Sequence, residues 1–163
     1  MPDLVFIGPS GAGKSRLGKR VAKILGVPFA DTDKMVVAEY GPIAGIFAEF
    51  GEGRFRELER AAVIRGLQGE GVLSLGGGAV LDAATRSDLA HERVVLLTVS
   101  PEAVEARLGD KRPLVANGIA EWVALNDTRW PLYESLADAT FDTSVGSDAD
   151  LAEEVARWAQ QTT

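Results

Sequence analysis

Hydrophobic residues fall along this chain in short unbroken runs, separated by stretches with helical spacing. The run Leu4-Val5-Phe6-Ile7 is apolar at every position and ends at Gly8-Pro9-Ser10-Gly11, which predicts a strand buried on both faces and closed by a turn. From Lys14 the spacing becomes helical, with Leu17, Val21, Ile24 and Leu25 on one face, and Gly26 and Pro28 stop it. A short strand is expected at 27–31, then helices near 34–40, 43–50 and 54–67. Residues 72–75 form another buried run, which leads into Gly76-Gly77-Gly78. A helix near 83–89 and a strand near 94–99 follow. Ser100-Pro101 is a good helix start, because the hydroxyl caps free N–H groups and proline suits the first helical position. That helix is expected to end near Leu108-Gly109, before a polar loop with Lys111, Arg112 and Pro113. The spacing then predicts a helix at 119–136, bent or interrupted at Pro131, a short strand around Phe141, and an amphipathic helix at 149–158. Strands that are apolar throughout and alternate with helices imply a parallel sheet covered on both faces. The expected fold is α/β, a three-layer sandwich around a five-stranded parallel sheet, in a single domain spanning 1–163.

Composition narrows the chemistry. The 163 residues, 46% hydrophobic and 25% charged, suit one globular core and exclude a disordered or fibrous chain. No run approaches the ~18 apolar residues of a membrane span. The glycine-rich stretch from Gly8 occupies the place of a secretory signal's apolar region. Cysteine is absent, which removes disulfides, thiolate catalysis and Cys-ligated zinc. The single histidine, His91, leaves no parts for a histidine metal site or a Ser-His-Asp triad. A net charge of -7 argues against non-specific nucleic-acid binding. A cytoplasmic protein that binds neither nucleic acid nor membrane is the expectation.

Gly8-Pro9-Ser10-Gly11-Ala12-Gly13-Lys14-Ser15 fits G-x-x-x-x-G-K-[ST] at every position, between a predicted strand and a predicted helix. Glycines let successive N–H groups turn inward on a phosphate, and the helix start adds free donors and a positive dipole end. Lys14 would reach the β- and γ-phosphates of ATP, and the Ser15 hydroxyl would bind Mg²⁺. Many such enzymes hold that ion with an aspartate ending another apolar strand, but neither 72–75 nor 94–99 ends in one. Carboxylates stand instead at Asp31-Thr32-Asp33, after the second strand, on the sheet edge that carries the phosphate loop. If this tripeptide is extended, Asp31 and Asp33 share a face, one serving the metal and the other a substrate hydroxyl. The alternative is a helix cap at Thr32 or Asp33.

The phosphate loop, Asp31-Thr32-Asp33, Phe55-Arg56-x-x-Glu59, Leu75-Gly76-Gly77-Gly78-Ala79, Arg112-Pro113-Leu114 and Arg129-x-Pro-Leu-Tyr133 occur in one order. Together they resemble shikimate kinases, P-loop enzymes of the nucleoside-monophosphate-kinase-like fold, over nearly the whole chain. The resemblance implies ATP-dependent phosphorylation of shikimate to shikimate 3-phosphate, on the way to aromatic amino acids, with Mg²⁺ as cofactor. It implies a substrate-binding region at about 33–62 and a lid at about 109–118. Asp33 would hold the shikimate hydroxyls, and Arg56 and Arg129 would clamp its carboxylate, helped by Gly76, Gly77 and Gly78. Phe47 and Phe55 would wall the ring. ATP would meet Gly11, Ala12, Gly13, Lys14, Ser15, Arg16, Arg107 and Arg112. Lys14, Asp33 and Arg112 would be catalytic, Arg112 from the lid, and Ser15 and Asp31 would hold the metal. The segment from Arg107 to Arg112 is shorter than the lid the resemblance implies, and Ser-Val-Gly-Ser-Asp after Thr143 lacks the basic residue that flanks adenine in the family, which leaves that contact to Arg107 and backbone groups.

The chemistry of the residues agrees. A small polyol acid needs planar, bidentate arginines for its carboxylate and carboxylate acceptors for its hydroxyls. Phosphoryl transfer needs positioning and cations more than a covalent catalyst. Other readings of single residues stay open. Arg56 and Glu59 sit in an Arg/Glu-rich helix and could be solvated charges; Arg129 could snorkel and Arg112 could be an ordinary loop charge. Phe47 and Phe55 could be plain core, as could Trp122 and Trp158, and Trp130 receives no role. A gluconate-kinase-like enzyme and a nucleotide-binding module without catalysis are the rival functions. Shikimate and ATP are the expected partners of a monomer.

Overall fold

The computed structural model describes residues 1–108 and 118–161. Five strands, β1 (Leu4–Ile7), β2 (Phe29–Asp31), β3 (Val72–Ser74), β4 (Val94–Thr98) and β5 (Ala139–Asp142), form one sheet in the order β2-β3-β1-β4-β5, every pair parallel. Around it lie α1 (Lys14–Leu25), α2 (Thr32–Tyr40), α3 (Ile43–Gln68), α4 (Ala83–Leu89), α5 (Pro101–Leu108), α6 (Ile119–Leu136) and α7 (Asp148–Gln161), with a 3-10 turn at Ala79–Leu81. The apolar run of β1 shows why continuous hydrophobicity marks a central strand. Leu4 and Phe6 pack on one face with Leu17, Val21, Val104 and Val155, while Val5 and Ile7 pack on the other with Leu73, Leu89 and Tyr133. A third, smaller core of Val36, Ile46, Phe55, Leu58 and Ala62 joins α2 to α3 beyond the sheet edge.

The expected elements are present with shifted limits. The helices near 43–50 and 54–67 form α3 as one element broken at Gly51, whose φ 83 and ψ 173 are not helical. α6 runs through Pro131 to Leu136. Ser100 caps α5 as its sequence predicts, its hydroxyl accepting from the Ala103 N–H at 3.1 Å.

The extended reading of Asp31-Thr32-Asp33 is corrected. β2 ends at Asp31 and α2 begins at Thr32, so the two aspartates do not share a strand face. The cap is neither Thr32 nor Asp33. Asp31 itself caps α2, accepting from the Lys34 N–H at 3.2 Å. All five strands point their C-terminal ends to one edge, and the loops after β1, β2 and β3 meet there. Gly8 starts the first of these loops with φ 143, and a Cβ on it would stand 2.3 Å from the Leu97 carbonyl oxygen of β4. Only glycine lets the loop pass that close to the neighbouring strand. No helix among the described residues is long and apolar enough to cross a membrane.

Candidate active site

The phosphate loop wraps the start of α1. Gly13 caps the helix in the left-handed region and brings no side-chain cap, so first-turn N–H groups face outward with the helix dipole behind them. The Ala12 N–H is used within the loop, on the Pro9 carbonyl at 3.2 Å. Lys14 is buried, and its Nζ donates to the carbonyls of Gly8 at 2.7 Å and Pro9 at 2.9 Å. Burial pulls its pKa down from 10.5 to about 8, against the opposing charges of Asp33 and Asp31.

A cleft of about 990 Å³ opens over this loop, lined by Lys14, Ser15, Asp31, Asp33, Gly77 and Arg107 among others. Arg16, Lys19, Arg20 and Lys34 also reach it, so six cations face two carboxylates in a chain of net charge -7. That concentration suits a polyphosphate. Arg16 leans on Asp148 at the start of α7, at 2.6 Å. Arg107 bonds the Gly11 carbonyl at 3.4 Å and both the hydroxyl and the carbonyl of Thr143. Thr143 in turn donates to the Ala12 carbonyl at 2.8 Å, so the end of β5 supports the phosphate loop.

The Ser15 hydroxyl donates to the Asp31 carboxylate, which places two hard oxygens side by side on the cleft wall. Among the described residues no group of three or more His, Asp or Glu side chains could hold a metal by itself. A pair of protein oxygens fits Mg²⁺, which keeps several waters and takes other ligands from substrate phosphates.

The second half of the site converges on residues 76–78. A Cβ on Gly76 would stand 2.5 Å from Asp33 Oδ1 and 3.0 Å from Glu59 Oε2, and one on Gly78 would stand 2.3 Å from Arg56 Nη1. At Gly77 a Cβ would come within 3.3 Å of Ser10 in the phosphate loop and 3.5 Å of Arg129 Nη1. The triplet is glycine because Asp33, Arg56, Glu59, Ser10 and Arg129 all close on it. Thr32 fixes it from β2's end, its hydroxyl accepting from the Gly76 N–H at 3.1 Å.

Burial removes the surface reading of Glu59 and Arg129, while Arg56 is half-buried. Glu59 is 4% exposed and takes the Arg56 guanidinium at 2.8 Å, and Arg129 is 7% exposed. Burial raises the Asp33 carboxyl, and nearby Asp31 raises it further, against Lys14 and Arg56. Burial also raises Glu59, with Arg56 opposing. Phe55 is buried and Phe47 exposed, their rings 4.9 Å apart, with the Arg56 guanidinium 5.3 Å from the Phe55 ring. Arg112, Lys111 and the lid expected at 109–118 lie outside the described residues, apart from Gly118.

Residues without a sequence-derived role complete the frame. The Trp122 indole donates to the Ser10 carbonyl at 2.9 Å, so this side chain does more than pack. The Tyr133 hydroxyl donates to the Gly77 carbonyl at 2.6 Å and lies close to the charge of Arg129. Trp130 meets the Tyr133 ring edge-on. Trp122, Asn126, Arg129 and Tyr133 follow helical spacing on one face of α6, a signal present in the sequence.

The model of the shikimate kinase family matches residues 10–160. The chain belongs to the shikimate kinase family. It is 45% identical over 159 residues to the shikimate kinase of Streptomyces coelicolor, covering 94% of this chain and 91% of that one. The solved structure of a shikimate kinase from Acinetobacter baumannii in complex with shikimate superposes with a TM-score of 0.91 at 32% identity, covering 98% and 93% of the two chains. A gluconokinase from Sinorhizobium meliloti, at 20% identity and a TM-score of 0.64, covers 98% of this chain and 91% of its own, and shares the fold.

Proposed function

We propose that the cleft binds Mg·ATP on the phosphate loop and shikimate between Asp33, Arg56, Arg129 and residues 76–78, and that it joins the two. The chain, as a member of its family, is an ATP-dependent kinase of shikimate. The observation that carries the residue roles is the convergence of Asp33, Arg56 and Arg129 on the glycine triplet, one loop away from Lys14. Two guanidinium groups beside a carboxylate suit a ligand with a carboxylate at one end and hydroxyls at the other.

In this reading Asp33 accepts the proton of the shikimate hydroxyl as its oxygen attacks the γ-phosphorus. The bond from that phosphorus to the β–γ bridging oxygen breaks, and ADP and shikimate 3-phosphate leave. Lys14 moves from the loop carbonyls to the phosphates and meets the charge spread over the γ-oxygens. Ser15 and Asp31 would hold Mg²⁺, which would supply positive charge against the negative charge of the phosphates. Arg107 and Arg16 flank the nucleotide, Phe47 and Phe55 border the ring of shikimate, and Arg112 is assigned to the transferring phosphate. A cytoplasmic monomer is the working state in this proposal.

ADP release with Mg·ATP should rise strongly on adding shikimate and stay flat with gluconate or a nucleoside monophosphate. Stimulation by gluconate would overturn the pocket assignment, and ATP binding with no stimulation by any acceptor would favour a binding module. A second expectation concerns the triplet. Gly78 has φ -96, which alanine tolerates, yet a Cβ there must displace the Arg56 guanidinium. Gly78→Ala should therefore raise the shikimate KM by about tenfold, the worth of one charge-assisted hydrogen bond, and lower the thermal midpoint as well, because the displaced guanidinium also leaves the buried Glu59. An unaltered KM would remove Arg56 from the clamp.

A further inference from the structure

Two buried polar atoms on α6 lack hydrogen-bond partners among the described residues, and they are complementary. Arg129 Nε carries a donor, and Asn126 Oδ1 is an acceptor. The two residues are three apart on one helix, the spacing at which side chains are neighbours. Helical side chains lean toward the N-terminus, so the Arg129 stem lies over the turn that carries Asn126. The Asn126 amide is also oriented. Its Nδ2 donates to the Trp122 carbonyl one turn back, at 2.8 Å, which turns Oδ1 away from that carbonyl. Asn126 is 8% exposed and Arg129 is 7% exposed, so water offers little compensation to either atom.

Buried polar groups are nearly always paired, so an unpaired donor and an unpaired acceptor three residues apart on one helix call for an explanation, and a small side-chain movement can pair them. The far side of the Arg129 guanidinium faces the glycine loop, with Nη1 beside Gly77 and its charge close to the Tyr133 hydroxyl. The Nε side is the free one.

We infer that Asn126 is a positioning residue for the substrate carboxylate: its Oδ1 accepts from Arg129 Nε when the guanidinium closes on that carboxylate. With Tyr133 on one side and held by Asn126 on the other, the guanidinium plane is fixed at the angle that a bidentate clamp requires. Asn126 does not touch substrate. It acts through Arg129, and the inference rests on the reading of Arg129 given above.

The test is shikimate and ATP affinity by calorimetric titration, with thermal midpoints, for Asn126→Leu, Asn126→Asp, Arg129→Lys and the double variant Asn126→Leu/Arg129→Lys. Leucine removes the acceptor at similar volume, so shikimate should bind about tenfold more weakly, with ATP affinity unchanged. Asp keeps the acceptor but cannot donate to the Trp122 carbonyl. A positioning role therefore predicts that Asp preserves shikimate affinity better than Leu, even at a lower midpoint. A merely structural role predicts the reverse order. In the Arg129→Lys background, which has no Nε–H donor at that place, Asn126→Leu should add nothing. If Asn126→Leu leaves shikimate affinity intact, or weakens ATP equally, the inference is overturned. If Arg129→Lys itself leaves shikimate affinity intact, the clamp assignment fails first, and that outcome is separable because it needs no Asn126 variant.

Discussion

Asp33→Asn should lower kcat by about 10²–10⁴-fold, the range for loss of a positioned general base, while ATP affinity is retained. The substitution keeps size and shape and removes the capacity to accept a proton together with the negative charge beside Lys14. The pH profile adds a test that a structural role would not meet. Burial and the neighbouring Asp31 hold the Asp33 carboxyl above the ordinary carboxylate range. A base must be deprotonated to act, so the acid limb of kcat/KM should fall at a pH above that of an ordinary aspartate. In Asp33→Asn the residual activity should lack that limb. Equal losses of ATP affinity and kcat would return Asp33 to a structural role in the first turn of α2.

Lys14→Met should separate function from stability in opposite directions. Turnover should fall by about 10²–10³-fold or more, since the ammonium is the loop's side-chain cation for the phosphates. Stability should rise, because methionine fills a similar volume without burying a charge. The folded pKa is about 8 against 10.5 when unfolded. Below pH 8 both states carry the proton and the native protein bears the full burial cost. Between those values the unfolded chain binds more protons than the folded one, so stability rises with pH; above 10.5 the cost is gone. At 1.36 kcal/mol per unit the stability of Lys14→Met relative to the parent should be about 3 kcal/mol higher at pH 7 than above pH 10.5, where only the parent's bonds to the Gly8 and Pro9 carbonyls remain to separate the two. Urea unfolding of both proteins at pH 7 and pH 10 measures it. A gap that does not narrow with pH would show that burial of this charge is not what costs the native state.

What was legible in the chain was what is local. The phosphate loop is one contiguous motif between a strand and a helix, and the continuous apolar runs at 4–7, 72–75 and 94–99 announced central parallel strands. The glycine triplet could be read as a point of close approach, because three glycines after a buried strand leave little else to explain them. The limit of β2 was not legible. An extended Asp31-Thr32-Asp33 would put both aspartates on one strand face and a cap would fall on Thr32 or Asp33, but Asp31 serves as the cap, and the chain turns helical at the next residue. Glu59 could not be told from its charged neighbours, since only the fold brings Gly76 over it and buries it. Thr143 and Trp122 reach the phosphate loop from 131 and 112 residues away, distances at which spacing says nothing. The face of α6 carrying Trp122, Asn126, Arg129 and Tyr133 was there in the sequence at helical intervals, but it was masked by Trp130 and Pro131, which break the amphipathic pattern.

The placement of the tryptophans has a practical consequence. Trp122 hangs its indole N–H on the phosphate loop, and Trp130 rests edge-on against the tyrosine that holds the glycine loop, so each half of the site has an intrinsic fluorophore one contact away. Trp158, on α7, stacks with Arg93 and packs against the core cluster that contains Trp122. Replacing Trp158 by phenylalanine would leave a protein whose own emission reports on occupancy, and separate removal of Trp122 or Trp130 would divide that signal between nucleotide and acceptor. The enzyme thus carries its own optical assay, with no dye and no coupling enzyme.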